Sequence, residues 1–350
     1  VVTVPKCMST QHPDNVHSPF FAQGTVMEGE DEIQEAYYAF SHLGCDEQMW
    51  DCEGKETDDF VVKKLLATYG DYFRGQRIGK DAFITLRVPN PDVEKSEAKI
   101  LLETLESIPR SFDSAKLFYG DDAPPIFEVI VPMTQSAKDV DRVYRFYRDF
   151  IIGDQHRKLG NDITVREWLG EFKPEKVNVI PLFEDKERIL AADRITKEYL
   201  ADKEVSHQRV FLARSDPAMN YGLVSAVLLN KIALHKLHAL SQEIGVRIYP
   251  IVGVGSAPFR GNLRPQTVWR VEEEYAGAHT LTVQSAFKYD NPPNVVRQAI
   301  GVLREATEKK PKHVDEQESV RIMDHYGWVY QAQLMALAPV INRVSKYVPA

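Results

Sequence analysis

Cysteine is scarce: Cys7, Cys45 and Cys52 are the only three in 350 residues. Their irregular spacing offers no disulfide framework and no CxxC redox pair, so they read as plain reduced thiols. Zinc lacks its usual grips too. The ten histidines are scattered, HExxH is missing, and His235 and His238 lie in a helix that reads as packing. The chain has no GxxxxGK[ST] phosphate loop, and residues 253–258 do not keep the GxGxxG spacing of a dinucleotide site. No window reads as long and apolar enough to cross a bilayer, and neither low-complexity tracts nor internal repeats occur. The opening VVTVPKCMSTQHPDN lacks the basic-then-apolar pattern of a secretion signal, which leaves the cytoplasm as the expected location. A net charge of −8 argues against a nucleic-acid partner. It does not argue against small anions, for which local arginines outweigh the global sum.

What is present is an alternation of helical periodicity with short apolar runs. The strand-like pieces are FITLRV (83–88), IFEVIV (126–131), VNVIPLF (177–183), RVFLA (209–213), RIYPIV (247–252) and TLTVQSA (280–286). Several are nearly continuous in apolar residues, as strands covered on both faces are, which points to a parallel sheet with helices outside. Six such runs fall two short of a closed (β/α)8 barrel, with an open doubly wound sheet as the competing layout. The barrel explains why nearly every strand runs straight into polar residues, because all such ends share one rim. The expectation is therefore a single decorated TIM-type barrel domain over 1–350 with additional helices, incomplete at its C-terminus. Residues 1–75 are read as a mainly helical elaboration with an active-site segment, 80–290 as barrel strands and crossovers, and 291–350 as a helical, interface or barrel-covering tail. The tail is expected to break near Gly327 or Pro339.

The strand ends carry the chemistry. Glu184 ends VIPLFE and Asp216 follows VFLARS on the next strand, which makes the two carboxylates rim neighbours. Held close, they repel unless a proton or cation lies between them, and with waters and substrate oxygens they suit Mg²⁺ or Mn²⁺. The bland reading is a helix cap and a turn. Residues 253–265, GVGSAPFRGNLRP, follow RIYPIV. Their glycines let the backbone approach a ligand, and Arg260 and Arg264 supply forked donors for phosphate or carboxylate. Arg87, Arg214 and Lys288 add cations at three further strand ends. Any one arginine is ordinarily a surface ion-pair partner, but the set implies a small substrate bearing both phosphate and carboxylate. His12, in STQHPDN, offers an imidazole that titrates near neutrality. Loop 153–160, with His156, is a candidate for closure over the site, and Trp50 in GCDEQMWD is a candidate for covering a site or an interface.

Eight stretches together, MSTQHPDN, GCDEQMWDCEGKE, LRVPNP, FEVIVPMT, GEFKPEKVNVIPLFED, ARSDPAMNYG, GVGSAPFRGNLRP and TVQSAFKYD, resemble the archaeal-type phosphoenolpyruvate carboxylases in order along the chain. The resemblance implies a Mg²⁺- or Mn²⁺-dependent TIM-barrel enzyme, homotetrameric, that makes oxaloacetate from phosphoenolpyruvate and bicarbonate. It implies Glu184 and Asp216 as metal ligands, and His12, Arg87 and Arg260 as catalytic. Arg87, Arg214, Ser256, Arg260, Arg264, Gln284 and Lys288 are implied as substrate contacts. The family members are longer than this chain, and the missing part is expected to supply the last strands. Another phosphoenolpyruvate or pyruvate barrel, a phosphotransferase or an aldol-type lyase, remains open, as does a non-catalytic metabolite-binding barrel.

Overall fold

Eight parallel strands close on themselves in the computed structural model, which describes residues 3–347 except 23, 25, 26, 28 and 54–56. In chain order they begin with β1 (Cys7–Ser9), β2 (Glu47–Asp51), β3 (Phe83–Arg87) and β4 (Glu128–Val131). A separate antiparallel hairpin, β5 (Lys158–Leu159) and β6 (Ile163–Thr164), intervenes. The barrel resumes with β7 (Asn178–Phe183), β8 (His207–Ala213), β9 (Arg247–Gly253) and β10 (Thr280–Val283). The order around the ring is β1-β10-β9-β8-β7-β4-β3-β2. Closure comes from the short β1, where Cys7 pairs with Leu281 on one side and Met8 with Glu47 on the other. The expected incompleteness of the barrel is thereby corrected. The two strands not legible in sequence are β1 and β2, both within residues 1–75, and the ring needs no strand from beyond residue 350.

The interior is layered, as barrel interiors are when alternate residues of each strand point inward. At the bottom, where strands begin, buried Arg209 of β8 donates to Glu47 at 2.6 and 2.8 Å, to Glu128 at 2.9 Å and to Thr280 at 3.2 Å. Above that polar plug lies an apolar layer of Met8, Met49, Ile130, Ile180, Leu182, Phe211, Ala213 and Ile251. The top is open and polar. Crossover helices wrap the outside with their apolar faces inward: Ala98–Tyr119 buries Leu101, Leu105, Ile108 and Phe112, and Pro293–Glu305 buries Val296, Ile300 and Leu303.

Two helices differ from the sequence reading. Leu223–Ile244 is long and apolar enough to span a bilayer by length and composition. It is the crossover between β8 and β9, with Leu229, Ile232, Ala233 and Leu237 buried in the core. The tail forms one helix, Glu316–Val344, that continues through both Gly327 and Pro339 and buries only Ser319 and Met323. The stretch TLTVQSA is also divided: the strand stops at Val283, and Ser285–Tyr289 is a helical turn.

Candidate active site

The open top of the barrel holds a cavity of about 110 Å³. Its lining includes Thr10, His12, Arg87, Glu184, Arg214, Ser215, Asp216, Arg260 and Gln284, over a wall of Leu182, Phe211, Ala213, Met219, Gly253 and Thr282. Most of the polar members end a strand or follow one directly. Arg87 is the last residue of β3, Thr10 follows β1, Glu184 follows β7, Arg214 follows β8 and Gln284 follows β10. Backbone topology alone therefore delivers groups far apart in sequence to one small volume.

Arg87 is held from the neighbouring strand. Its Nε and Nη2 donate to the two carboxylate oxygens of Asp51 at 2.8 and 2.6 Å, a forked pair across the β2–β3 register, and Glu53 lies 3.0 Å from Nε. Such two-point contacts fix the guanidinium plane as well as its position. Arg214 is buried, with Nε donating to the Tyr275 hydroxyl at 2.6 Å and Nη1 to the Phe259 carbonyl at 2.7 Å. Arg260 sits in a short 3₁₀ turn and donates from Nε to Gln284 Oε1 at 2.9 Å.

The acidic pair behaves as two close carboxylates should. Burial pushes the Glu184 carboxyl up to about 8, and the neighbouring charges of Asp216 and Glu53 add to that; Arg87 and the Met133 amide, which donates to Glu184 Oε2 at 3.1 Å, oppose it. Met133 adopts a left-handed backbone with φ 47°, unusual for a residue with a side chain, and this turn presents its N–H to Glu184. Glu53 is itself pushed up to about 7, chiefly by burial. A carboxylate destabilised by its neighbours is a natural seat for a cation. Among the described residues, no group of three or more His, Cys, Asp or Glu side chains is arranged to hold a metal. Two carboxylates leaving the remaining positions to water and substrate oxygen suit a hard divalent ion.

His12 departs from the sequence expectation of near-neutral titration. Enclosure, together with the Arg87 charge, lowers it to about 4, so the ring is neutral at pH 7. Its Nδ1 is buried without a hydrogen-bond partner, which leaves a nitrogen available to a reactant.

Seven of the sequence-predicted site residues thus converge: His12, Arg87, Glu184, Arg214, Asp216, Arg260 and Gln284. Three do not line the cavity. Ser256 donates to the Leu263 carbonyl at 3.0 Å and Arg264 Nε to the Ser256 carbonyl at 3.0 Å, so both tie the glycine-rich loop to itself. Lys288 is buried, bonded to Glu35 at 2.8 Å, Thr10 O at 2.9 Å and Ser9 Oγ at 3.1 Å. Loop 153–160 lies at the wrong end for closure. It follows the helix descending from β4 and precedes β7, and Lys173 nearby pairs with Asp122 below the Ala98–Tyr119 helix. His156 is exposed there, while Trp50 is buried and donates to the Asp58 carbonyl at 3.1 Å. Sequence reasoning missed Asp51, Thr10 and Ser215. For Asp51 the signal was present, an acidic residue after an apolar pair in EQMWD, but the strand itself had not been seen.

The chain matches the family model described as phosphoenolpyruvate carboxylase over residues 4–350. It belongs to the phosphoenolpyruvate carboxylase family. The phosphoenolpyruvate carboxylase of Methanospirillum hungatei is 58% identical over 348 residues, covering 99% of this chain and 72% of the relative. That of Methanothermobacter thermautotrophicus is 58% identical over 346 residues, with 99% and 72% covered. That of Pyrococcus furiosus is 51% identical over 348 residues, with 99% and 73% covered. Among solved structures, the Haloferax volcanii malate synthase lead(II) complex superposes with a TM-score of 0.52 at 10% identity, over 89% of this chain and 76% of that one, a likeness of fold alone. The activity is accordingly that of a phosphoenolpyruvate carboxylase, a lyase-type enzyme forming oxaloacetate, and the phosphotransferase, aldol-type and non-catalytic readings fall away.

Proposed function

We propose that the carboxylase works through His12, Arg87, Arg214, Arg260 and Gln284, with Glu184 and Asp216 as the seat of Mg²⁺ or Mn²⁺. The observation that carries this division of labour is the single cavity in which three arginines face two mutually repelling carboxylates and one neutral imidazole. The ion, when bound, supplies positive charge to substrate oxygens as negative charge develops on them.

The chain's own residues do the rest. Arg87, Arg214 and Arg260 bind the phosphate and carboxylate of phosphoenolpyruvate, and their charge favours attack by a bicarbonate oxygen on phosphorus. The bond between phosphorus and the enol oxygen breaks as the new one forms, giving carboxyphosphate and the enolate of pyruvate. His12, neutral before substrate arrives, accepts the carboxyl proton of carboxyphosphate, whose carbon–oxygen bond to the phosphoryl group then breaks to release carbon dioxide and phosphate. The enolate carbon attacks carbon dioxide and yields oxaloacetate. Leu182, Phe211, Ala213 and Met219 exclude water, whose proton would otherwise divert the enolate to pyruvate. A cytoplasmic homotetramer is the setting we assign to this activity.

The test measures phosphate, oxaloacetate and pyruvate released from phosphoenolpyruvate, with and without bicarbonate and Mg²⁺, in the parent and in Arg87→Gln, Arg260→Gln and His12→Gln. Equal oxaloacetate and phosphate in the parent, lost in each variant while its fold persists, is the expected result. Parental turnover in any of the three removes that residue from the scheme.

A further inference from the structure

A carboxylate beside a guanidinium meant for an anion is a cost, since it offsets the charge the substrate needs. Asp14 stands in that position. Its Oδ2 lies 3.7 Å from Arg260 Nε, both side chains are largely enclosed, and Oδ2 accepts no hydrogen bond. Its Oδ1 accepts from the Ala286 amide at 2.7 Å, on the turn that follows β10. The Asp14 amide donates to the His12 carbonyl at 3.0 Å, and the Ser285 amide reaches the same carbonyl at 3.3 Å. One residue thus touches both the segment carrying His12 and the side chain of Arg260. Gln284 Oε1 accepts a hydrogen bond from the same Nε, and Gly255 leaves no room for a side chain: a Cβ there would lie 2.2 Å from Gln284 Oε1 and 2.9 Å from Arg260 Nε. The Nε edge of Arg260 is therefore occupied from two directions, while its two Nη groups have no protein partner among the described residues and remain for a ligand.

We infer that Asp14 is a positioning residue, which sets the Nη fork of Arg260 and the ring of His12 in one fixed relation so that carboxyphosphate is held against the enolate. This rests on the roles proposed above for His12 and Arg260. Loss of that relation leaves phosphoenolpyruvate binding and cleavage less affected than capture of carbon dioxide, so the enolate picks up a proton more often.

The experiment follows the pyruvate share of product, kcat and KM for phosphoenolpyruvate, and the melting temperature, in Asp14→Asn, Asp14→Ala and Gly255→Ala. Asp14→Asn keeps the acceptor for Ala286, removes the charge and turns an amide NH2, a donor, toward Arg260. Gly255→Ala disturbs the Arg260–Gln284 contact without touching Asp14. Expected for all three is a fall in kcat of about tenfold to a hundredfold, the scale of a misplaced reacting group. KM should change less, and the pyruvate share should rise several-fold. A parental pyruvate share in folded Asp14→Asn overturns the inference, whatever happens to kcat. If Asp14→Ala does not fold, Asp14→Asn and Gly255→Ala decide alone. His12→Gln and Arg260→Gln run alongside. If they lose oxaloacetate formation while Asp14→Asn keeps the parental ratio, only the role of Asp14 falls; if they keep parental turnover, the site reading falls and the inference with it.

Discussion

Replacing His12 by Gln tests whether the structure has enclosed a neutral imidazole. Its folded-state value of about 4 lies below the ordinary 6.5, chiefly through burial and then through the charge of Arg87. As pH falls below about 6.5, the unfolded chain takes up the proton first, so the unfolded state gains stability relative to the folded one. The penalty starts near pH 6.5 and is complete once the pH has fallen below about 4. The gap corresponds to about 3 kcal/mol, at about 1.36 kcal/mol for each pH unit. Urea unfolding of the parent and of His12→Gln should therefore diverge on acidification. The parent should lose about 3 kcal/mol more than the variant between about pH 7 and about pH 4. NMR of the imidazole ring signals should show His12 unprotonated at pH 6. A ring that titrates near 6.5, together with parallel stability curves for the two proteins, would refute the reasoning and return His12 to the near-neutral imidazole of the sequence reading.

Two further outcomes are expected. Glu184→Gln should abolish metal-dependent turnover while the melting temperature holds, because the amide keeps the shape but cannot ionise to hold a cation, and burial beside Asp216 already disfavours the charged form without one; a normal rate at ordinary Mg²⁺ is the contrary result. Arg209→Met should cost roughly 3–5 kcal/mol in urea unfolding, because Glu47 and Glu128 are left facing one another without their cation. A loss below about 1 kcal/mol would mean that the plug carries no such burden.

The long strands were legible because helices cover their outer face and the packed barrel interior their inner one, so β7, β8 and β9 read as apolar runs. The strands β1 and β2 were not. β1 is only three residues long, and β2 spends positions on the plug and on chemistry: Glu47 meets Arg209, and Asp51 meets Arg87. A strand whose inward residues are charged looks like a loop until its partners are known. The same limit explains Lys288. Its distance along the chain from β10 was right for the rim, but Glu35, on the helix Glu30–Tyr38, draws the ammonium into the interior. Chain position gives the height of a residue in the barrel, whereas the direction of its side chain depends on pairings between distant segments. Arg87, Glu184, Arg214 and Gln284 were legible because height alone decides for groups at a strand's last residue or the one after it.

The short β1 gives the order in which this machinery is built. Met8 and Ser9 find both of their strand neighbours only when Thr282 and Val283 are available, so β1 waits for the last barrel strand in chain order before the ring can close. His12 lies three residues beyond that closing strand. Until β10 docks, the segment carrying His12 also lacks the Ser285 and Ala286 amides that bond to His12 and Asp14, so the imidazole joins the arginines and carboxylates only when the ring closes.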